Sequence, residues 1–187
     1  MYRGARDAFF SETDSAPCGQ FSPLGLGRLI AASKPFGKEG IDRALTEVRV
    51  YTGQPSSSKD PKTYAANRRQ SAAWEKDGVI VRSRTLRYPR DWPKSRSQEK
   101  GIDVALAVDF VVMAVEGKYD IGVVASTDTD LLPAIEYVYS RAGVIAEVAA
   151  WWASSATPRL SVPGVWCHRL TKDDHNKAAD HRDYNRP

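Results

Sequence analysis

Short, β-rich apolar runs alternate with helical patterns along most of this chain, and this alternation constrains the fold more than any other feature of the sequence. The predicted strands are VRVY (48–51), VIVRSRTL (79–86), IGVVAS (121–126), VIAEVAAW (144–151) and VWCHRL (165–170). The predicted helices between them span residues 60–77, 99–117 and 130–142. Strands connected through helices form right-handed crossovers, which place the strands parallel with helices on both faces. We therefore predict an α/β fold with a doubly wound, mainly parallel sheet.

The length and composition suit one folded domain. The chain has 187 residues, of which 42% are hydrophobic and 27% are charged, enough for one substantial core. No stretch reaches the roughly 18 uncharged apolar residues that a membrane span needs, and the N-terminus lacks the basic and apolar regions of a signal peptide. We expect a cytoplasmic protein with no membrane partner, with a domain in residues 1–170 and a polar, flexible tail in residues 171–187.

Positive charge is concentrated in one segment of the chain. Between Lys59 and Lys100 there are 12 Lys and Arg residues against 5 Asp and Glu residues, a net charge of +7, whereas the whole chain carries +4. The remainder is therefore acidic. This distribution fits a polyanion that is bound near a metal-binding acidic cluster, and a solvated basic face is the simpler alternative.

Two aspartates, Asp128 and Asp130, directly follow the predicted strand IGVVAS. In an open parallel sheet, ligands bind beyond the carboxyl ends of the strands, so both side chains are expected at that edge. Helix capping explains one carboxylate but not the second. Because Pro133 fits the first turn of the next helix, we expect Thr129 or Asp130 to be the cap, which leaves Asp128 facing the edge of the sheet.

Two further aspartates lie on the preceding helix. Asp103 is in its first turn, where it is either a helix cap or part of a site. Asp109 is about 600° further round the helix and so lies on another face, where it could support the site or pair with a basic residue. Three converging carboxylates would raise one another's pKa unless a divalent cation were bound. Oxygen ligands with few histidines nearby indicate Mg²⁺ or Mn²⁺ rather than zinc.

The segment EKGIDVALAVDFVVMAVEGKYDIGVVASTDTDLLPAIEYV resembles the central block of NYN-domain proteins, a branch of the PIN-like nuclease superfamily. The family pattern is a Lys-Gly-x-Asp helix start, a Tyr-Asp pair, then Ser-Gly-Asp-x-Asp and a nearby proline. The corresponding residues here are Lys100 to Asp103, Tyr119 and Asp120, Ser126 to Asp130, and Pro133. A weaker resemblance extends over residues 1–170.

The resemblance implies a PIN-like three-layer α/β/α sandwich and a metal-dependent ribonuclease site. In that site Asp103, Asp128 and Asp130 would be the catalytic, metal-binding carboxylates, with Mg²⁺ or Mn²⁺ as the cofactor. The supporting positions would be Lys100, Asp109, Ser126, Thr127 and Thr129. The residues expected to contact the RNA backbone are Arg82, Arg84, Arg87, Arg90, Lys94 and Arg96.

The chain departs from the family pattern at two places. Thr127 stands where the family has glycine, so a β-branched residue occupies a position where positive φ is a possible requirement. The family also begins with a central strand whose aspartate is a fourth carboxylate, whereas MYRGARDAFF resembles the helix after that strand. We expect the first strand to be absent, which leaves a gap in the middle of the sheet. Our hypothesis is that the natural chain starts upstream of Met1, since Asp7, Glu12 and Asp14 would replace the missing ligand only in part.

The leading functional hypothesis is a metal-dependent endoribonuclease that acts on single-stranded RNA. Tyr88 and Trp92 either stack on unpaired bases or pack against their own domain. The competing hypothesis is a catalytically weak or inactive RNA-binding module. A third is a phosphatase of the haloacid-dehalogenase type, since DTDLL is similar to its Asp-x-Asp motif. Trp151 and Trp152 fit either core packing or a homodimer interface, because PIN-like domains often dimerise.

Overall fold

In the computed structural model, residues 1–33, 42–153 and 160–186 are described. The strands are β1 (Arg49–Gln54), β2 (Ile80–Thr85), β3 (Ile121–Ala125), β4 (Ile145–Trp151) and β5 (Trp166–Leu170). The α-helices are α1 (Tyr2–Phe9), α2 (Pro23–Ala32), α3 (Pro61–Lys76), α4 (Ile102–Val115), α5 (Leu132–Tyr139) and α6 (Lys172–Lys177). Two 3₁₀ helices span Ala16–Gly19 and Thr129–Leu131.

The chain divides into two compact units, each with its own parallel sheet. Unit 1 contains Met1–Leu45 and Ala107–His181, and unit 2 contains Thr46–Leu106 and Arg182–Pro187. The strand order is β3-β4-β5 in the first unit and β1-β2 in the second. The predicted α/β class with parallel strands is confirmed, and it agrees with the PIN-like sandwich. The expected absence of a first strand, and with it a gap in the middle of the sheet, remains a prediction.

Unit 2 is a strand–helix–strand crossover. β1 and β2 pair in parallel, with Arg49 opposite Ile80 at the start of the ladder. The connecting helix α3 begins as predicted, because the Asp60 side chain accepts a hydrogen bond of 3.2 Å from the Thr63 backbone N–H and proline occupies the first helical position. Gly78 follows α3 with φ of +95°, a conformation that favours glycine. Capping chemistry therefore sets both ends of this helix.

Unit 1 is built around the β3-β4-β5 sheet. Strand β4 is central and almost entirely buried. Helix α5 follows β3 and buries Ile135 and Val138, whereas α1 and α2 bury Ala5, Leu26 and Ile30. The cluster around these N-terminal helices also contains Ala149, Trp151, Leu170 and Ala178. The three parallel strands are thus enclosed by helices from both ends of the chain.

The segment after Thr171 contains a short helix. The Thr171 side chain accepts a hydrogen bond from the Asp174 backbone N–H, and the Asp174 carboxylate accepts one from the Thr171 backbone N–H, which is a capping box. His175 in α6 is buried, and so is Tyr184 further on. From its polar composition, this segment is predicted to be a flexible tail. That composition gives no sign that His175 and Tyr184 are buried. The domain limits at residues 170 and 171 remain predictions.

None of the described helices combines the length and the apolar character needed to cross a membrane.

Candidate functional site

The carboxyl end of β3 leads directly into a turn that is organised by Asp128. The Asp128 carboxylate accepts a hydrogen bond of 2.9 Å from the Asp130 backbone N–H, so Asp128 is the cap of the 3₁₀ helix that precedes α5. The Ser126 hydroxyl oxygen accepts a 3.1 Å hydrogen bond from the Asp128 backbone N–H. The predicted cap of α5, Thr129 or Asp130, is wrong, because a 3₁₀ turn precedes this helix: the N-cap position of α5 is Leu131, which has no side-chain cap, and Asp128 caps the 3₁₀ helix instead.

Asp130 is the carboxylate that the turn leaves unused. Its side chain is exposed and forms no hydrogen bond or ion pair with any described residue. Next to it, Leu131 is almost completely buried, which anchors the turn on the core of unit 1. Asp130 is thus held in place by its backbone while its charge remains available to a ligand.

The two threonines of this turn have exposed side chains. Thr127 replaces the family's glycine, and no non-glycine residue in the described part of the chain has a positive φ. Thr127 therefore fits this turn because its backbone does not adopt the left-handed conformation that favours glycine. Thr129 begins the 3₁₀ helix, and its carbonyl accepts the hydrogen bond from the Leu132 N–H.

Asp103 belongs to unit 2, in the first turn of α4. Its carboxylate is exposed and has no polar partner within the described ranges. The preceding Gly101 has φ of +73°, and its carbonyl accepts hydrogen bonds from the Ala105 N–H at 3.2 Å and from the Arg84 guanidinium at 3.3 Å. The positive φ therefore explains the glycine in the Lys-Gly-x-Asp helix start. The hydrogen bond to the Gly101 carbonyl holds the Arg84 side chain next to this helix start.

The acidic residues provide the oxygen donors that a hard divalent cation prefers. Among the residues that the structure describes, however, no three His, Cys, Asp or Glu side chains lie close enough together to hold a metal ion. The turn after β3 supplies two carboxylates, and the third predicted ligand, Asp103, lies in the other unit. Asp109 is half-buried in the part of α4 that belongs to unit 1. Its supporting role, like that of exposed Lys100, remains a prediction.

The basic residues of unit 2 are exposed. Arg82 and Arg84 lie on the same side of β2, since they are two residues apart in a strand. After β2, mutual backbone hydrogen bonds of 2.9 Å between Arg87 and Gln98 close a loop. We define the basic surface as the exposed residues Arg82, Arg84, Arg87, Arg90, Lys94 and Arg96. None of the six forms an ion pair with an acidic residue in the described ranges, so their charge is available to an anion.

The two aromatic residues of the loop pack against unit 2 itself. The Tyr88 and Trp92 rings meet edge to face, with centroids 4.8 Å apart. The Tyr88 hydroxyl accepts a hydrogen bond of 2.9 Å from the Ser56 backbone N–H, and the Lys59 ammonium lies 5.4 Å from the centre of the Tyr88 ring. Of the two predicted roles for this pair, the contacts favour internal packing.

A family model for the NYN domain matches residues 16–161, which is most of the chain and includes Asp103, Asp128 and Asp130. The chain belongs to the NYN domain family. An NYN domain is a nuclease-type domain of the PIN-like group, and NYN nucleases act on RNA. No curated protein and no solved structure matches the chain.

The NYN domain also contains a buried polar network that the sequence analysis did not predict. Arg43 donates hydrogen bonds of 2.9 and 2.8 Å to the two carboxylate oxygens of Glu147, which is fully buried in β4. The His168 Nε2 atom lies 2.8 Å from Glu147 Oε2, and its Nδ1 atom lies 3.1 Å from the Ser33 hydroxyl. A glutamate inside the apolar run VIAEVAAW was the available signal, because a buried carboxylate requires a partner.

This network holds the fold together rather than forming a nucleophile site. The contacts run from a serine hydroxyl to a histidine and on to a carboxylate, as in a nucleophile–base–acid triad: Ser33, His168 and Glu147. However, the Ser33 hydroxyl donates to the Ile30 carbonyl at 2.7 Å, and Arg43 engages both oxygens of Glu147. These hydrogen bonds leave the Ser33 hydroxyl and the Glu147 carboxylate engaged in structural contacts. The network connects the end of α2 and Arg43 to β4 and β5.

Trp151 is part of the core of the NYN domain. Its indole N–H donates a 3.0 Å hydrogen bond to the Met1 carbonyl, and its ring meets Phe9, Phe21 and His175. Trp152 has the Arg169 guanidinium 4.4 Å from its ring centre. Of the two roles predicted for these tryptophans, the contacts favour core and rim packing.

Proposed function

We propose that this NYN domain is a metal-dependent endoribonuclease that hydrolyses phosphodiester bonds in single-stranded RNA. The observation that carries the proposal is the exposed, unpartnered carboxylate of Asp130 beside the capping Asp128, at the carboxyl end of β3. Carboxyl ends of parallel strands are the usual ligand-binding edge of such sheets. Membership of the NYN family supports a nuclease site at this place.

The proposed cofactor is Mg²⁺ or Mn²⁺, held by Asp103, Asp128 and Asp130. The donor chemistry fits, since all three groups are carboxylates and the two exposed ones have no basic partner in the described part of the chain. When bound, such an ion activates water and offsets the charge that develops on the phosphodiester. The hydrogen bond from the Asp130 N–H occupies Asp128 Oδ1 and orients that carboxylate, while its second oxygen remains available.

The basic surface is proposed to bind the RNA backbone. Its six cations lack acidic partners within the described ranges, and phosphate contacts made by such side chains dominate the affinity of most proteins for nucleic acid. Lys100 adjoins Asp103 and either meets a phosphate or remains a surface lysine. Because Tyr88 and Trp92 pack against each other, we expect charge rather than base stacking to supply most of the binding.

The test is cleavage of a fluorescent single-stranded RNA by the purified chain with Mg²⁺ or Mn²⁺. We expect Asp130→Asn to reduce cleavage by about 100-fold or more, because a metal ligand is lost. Its folding should be unchanged, since the carboxylate forms no hydrogen bond or ion pair with a described residue. The matched control is Glu136→Gln, which removes the same charge from an exposed position on α5. A chelator should abolish cleavage and added Mn²⁺ should restore it.

An RNA-binding module without turnover is the second candidate. The observation that favours it is the lack, in the described residues, of three metal-binding side chains in one place. Binding of RNA by the wild-type chain without metal-dependent cleavage would establish this alternative. Equal cleavage by the wild type and by Asp130→Asn would contradict the proposed site.

A further inference from the structure

The three strands of unit 1 are parallel, so their carboxyl ends lie at one edge of the sheet. The turn with Asp128 and Asp130 follows β3 at this edge, and Trp152 directly follows β4. Arg169 is the penultimate residue of β5. The edge that carries two of the proposed metal ligands therefore also carries an indole ring and a guanidinium group.

The strand register places Trp152 next to the acidic turn. Ala125 of β3 pairs with Ala149 of β4. Asp128 and Trp152 each lie three residues beyond that pair in the sequence. Because adjacent strands are about 4.8 Å apart, the chain leaves the sheet toward Asp128 and toward Trp152 at neighbouring points of the same edge.

Trp152 and Trp151 lie on opposite faces of the sheet. Successive residues of a strand alternate between the faces, and the Trp152 N–H continues the ladder with a hydrogen bond of 2.7 Å to the Leu170 carbonyl. Trp151 belongs to the cluster around α1 and α2. Trp152 is therefore on the other face, on the same side as Arg169, which lies across from Ala150. The Arg169 guanidinium is 4.4 Å from the centre of the Trp152 ring.

We call Trp152 and Arg169 the stacking pair. Trp152 is half-buried, and Arg169 is exposed. Within the described ranges the Arg169 side chain forms no hydrogen bond or ion pair, so its charge is available to an anion. Proteins that bind single-stranded RNA stack its unpaired bases on aromatic rings and hold the phosphates between them with cations. The stacking pair supplies both kinds of group beside the proposed site.

We propose that Trp152 stacks on a base of single-stranded RNA next to the bond that is cleaved, while Arg169 holds the ring and contacts an adjacent phosphate. RNA as the ligand rests on the proposed function. A base can stack on a protein ring only when it is outside a duplex, so the stacking pair also gives a physical reason for a single-stranded substrate. The basic surface of unit 2 supplies charge, and the stacking pair adds one contact to a base.

The test compares two single-stranded RNAs of equal length and charge, one with all its bases and one with abasic sites throughout. Fluorescence anisotropy measures their binding to the full chain in EDTA, which stops metal-dependent cleavage. We expect the wild type to bind the RNA with bases about 10-fold more tightly, because stacking requires the bases. Trp152→Leu should remove most of this preference. Trp152→Phe keeps an aromatic ring and should retain part of it.

The matched control is Trp166→Leu. Trp166 is the first residue of β5, so it lies at the opposite edge of the same sheet, and it is 37% exposed. Its loss should leave the preference for bases unchanged. Arg169→Ala should lower the slope of log affinity against log salt concentration by ~0.7, the value for one lost phosphate contact on a single strand. Trp152→Leu should leave that slope unchanged, because a contact to a base releases no counterion.

Photo-crosslinking locates the stacked base without any substitution. RNA that contains 5-iodouracil is irradiated in complex with the wild type, and we expect mass spectrometry to find the adduct on Trp152. Adducts on other residues alone would overturn the proposal. So would a Trp152→Leu variant that is folded by far-UV circular dichroism and keeps the wild-type preference. Equal binding of both RNAs by the wild type would also overturn it, and is the result expected if the tryptophan and arginine instead contact a protein.

Binding and cleavage separate this inference from the proposed function. Base-dependent binding through Trp152 without metal-dependent cleavage would support the stacking pair and contradict the nuclease. Metal-dependent cleavage by a chain whose preference for bases is unaffected by Trp152→Leu would do the reverse.

Discussion

At the scale of single residues, Asp128 and Asp130 show what the sequence can and cannot predict. Their position at the carboxyl end of a strand follows from the pattern IGVVASTDTDLL, and the structure confirms that strand at Ile121–Ala125. The pattern does not show which of the two aspartates caps the 3₁₀ helix after this strand, because both lie within one turn of its start. The choice depends on the path of the backbone through Ser126 and Thr127, which only the folded turn reveals.

His175 is a second residue whose environment the sequence does not disclose. It lies in a polar segment, yet its ring is 2% exposed and is surrounded by the rings of Phe9, Phe10, Phe21 and Trp151. Burial lowers the pKa of His175 and is the largest effect, the Gly19 backbone opposes it less strongly, and the positive charge of Lys172 adds a smaller lowering. The folded state therefore disfavours the protonated imidazole.

This lowered pKa predicts how stability depends on pH. The unfolded chain binds a proton on His175 near the ordinary pKa of 6.5, whereas the folded chain binds it only at lower pH. Below about pH 6.5 the unfolded state therefore holds more protons, and the free energy of unfolding decreases as the pH falls. The contribution of His175 is fully present above this pH.

We expect His175→Phe, which keeps an aromatic ring in the cluster, to lose less stability than the wild type between pH 7.5 and pH 5. The measurement is urea denaturation at several pH values, and the exposed His181→Phe should retain the wild-type dependence. Equal slopes for the wild type and for His175→Phe would show that His175 does not carry this effect.

At the scale of elements, the boundaries of helices and strands were the most predictable feature. The expected helix at 60–77 is observed at Pro61–Lys76, and the expected strand at 144–151 is observed at Ile145–Trp151. These limits depend on local signals such as the Asp60 cap at the start of α3 and Gly78 after its end. Which strands pair with which has no local signal, because strand pairing is a long-range property that periodicity does not encode. The helix α6 was missed for a related reason, since its buried contacts lie far away in the sequence.

Strand β2 and the loop after it make a specific prediction about salt. We expect the triple variant Arg82→Ala, Arg90→Ala, Arg96→Ala to bind single-stranded RNA more weakly. The slope of log affinity against log salt concentration should decrease by about 2, since each lost phosphate contact contributes ~0.7. Arg84 is excluded because its guanidinium also bonds the Gly101 carbonyl at the start of α4.

Fluorescence anisotropy between low and moderate salt measures this slope. A triple alanine variant of exposed cations in unit 1, at Arg3, Arg28 and Lys118, is the matched control. It removes the same charge from the chain and should leave the slope near that of the wild type. If both variants reduced the slope equally, overall charge rather than the basic surface would account for the binding.

At the scale of the whole molecule, the buried network around Glu147 explains how the N-terminal part of unit 1 is attached to its sheet. Arg43 and Ser33 lie before β1 in the sequence, whereas Glu147 and His168 lie in β4 and β5. The hydrogen bonds of Arg43 with Glu147 and of Ser33 with His168 therefore join segments more than 100 residues apart in the sequence. The periodic pattern of apolar residues gives no indication that these segments are in contact. Because Glu147 is fully buried, its charge depends on Arg43 for compensation.

Removing that compensation should destabilise the protein strongly. We expect Glu147→Gln to lower the free energy of unfolding by about 3–5 kcal/mol, because the buried Arg43 guanidinium loses its counter-charge. The exposed substitution Glu136→Gln should change it by less than about 0.5 kcal/mol. Urea denaturation gives both values. The double variant Arg43→Met, Glu147→Leu should be more stable than Glu147→Gln, because apolar side chains can replace a buried ion pair without leaving a lone charge. A Glu147→Gln variant as stable as the Glu136→Gln control would mean that the ion pair does not hold the N-terminal segment to the sheet.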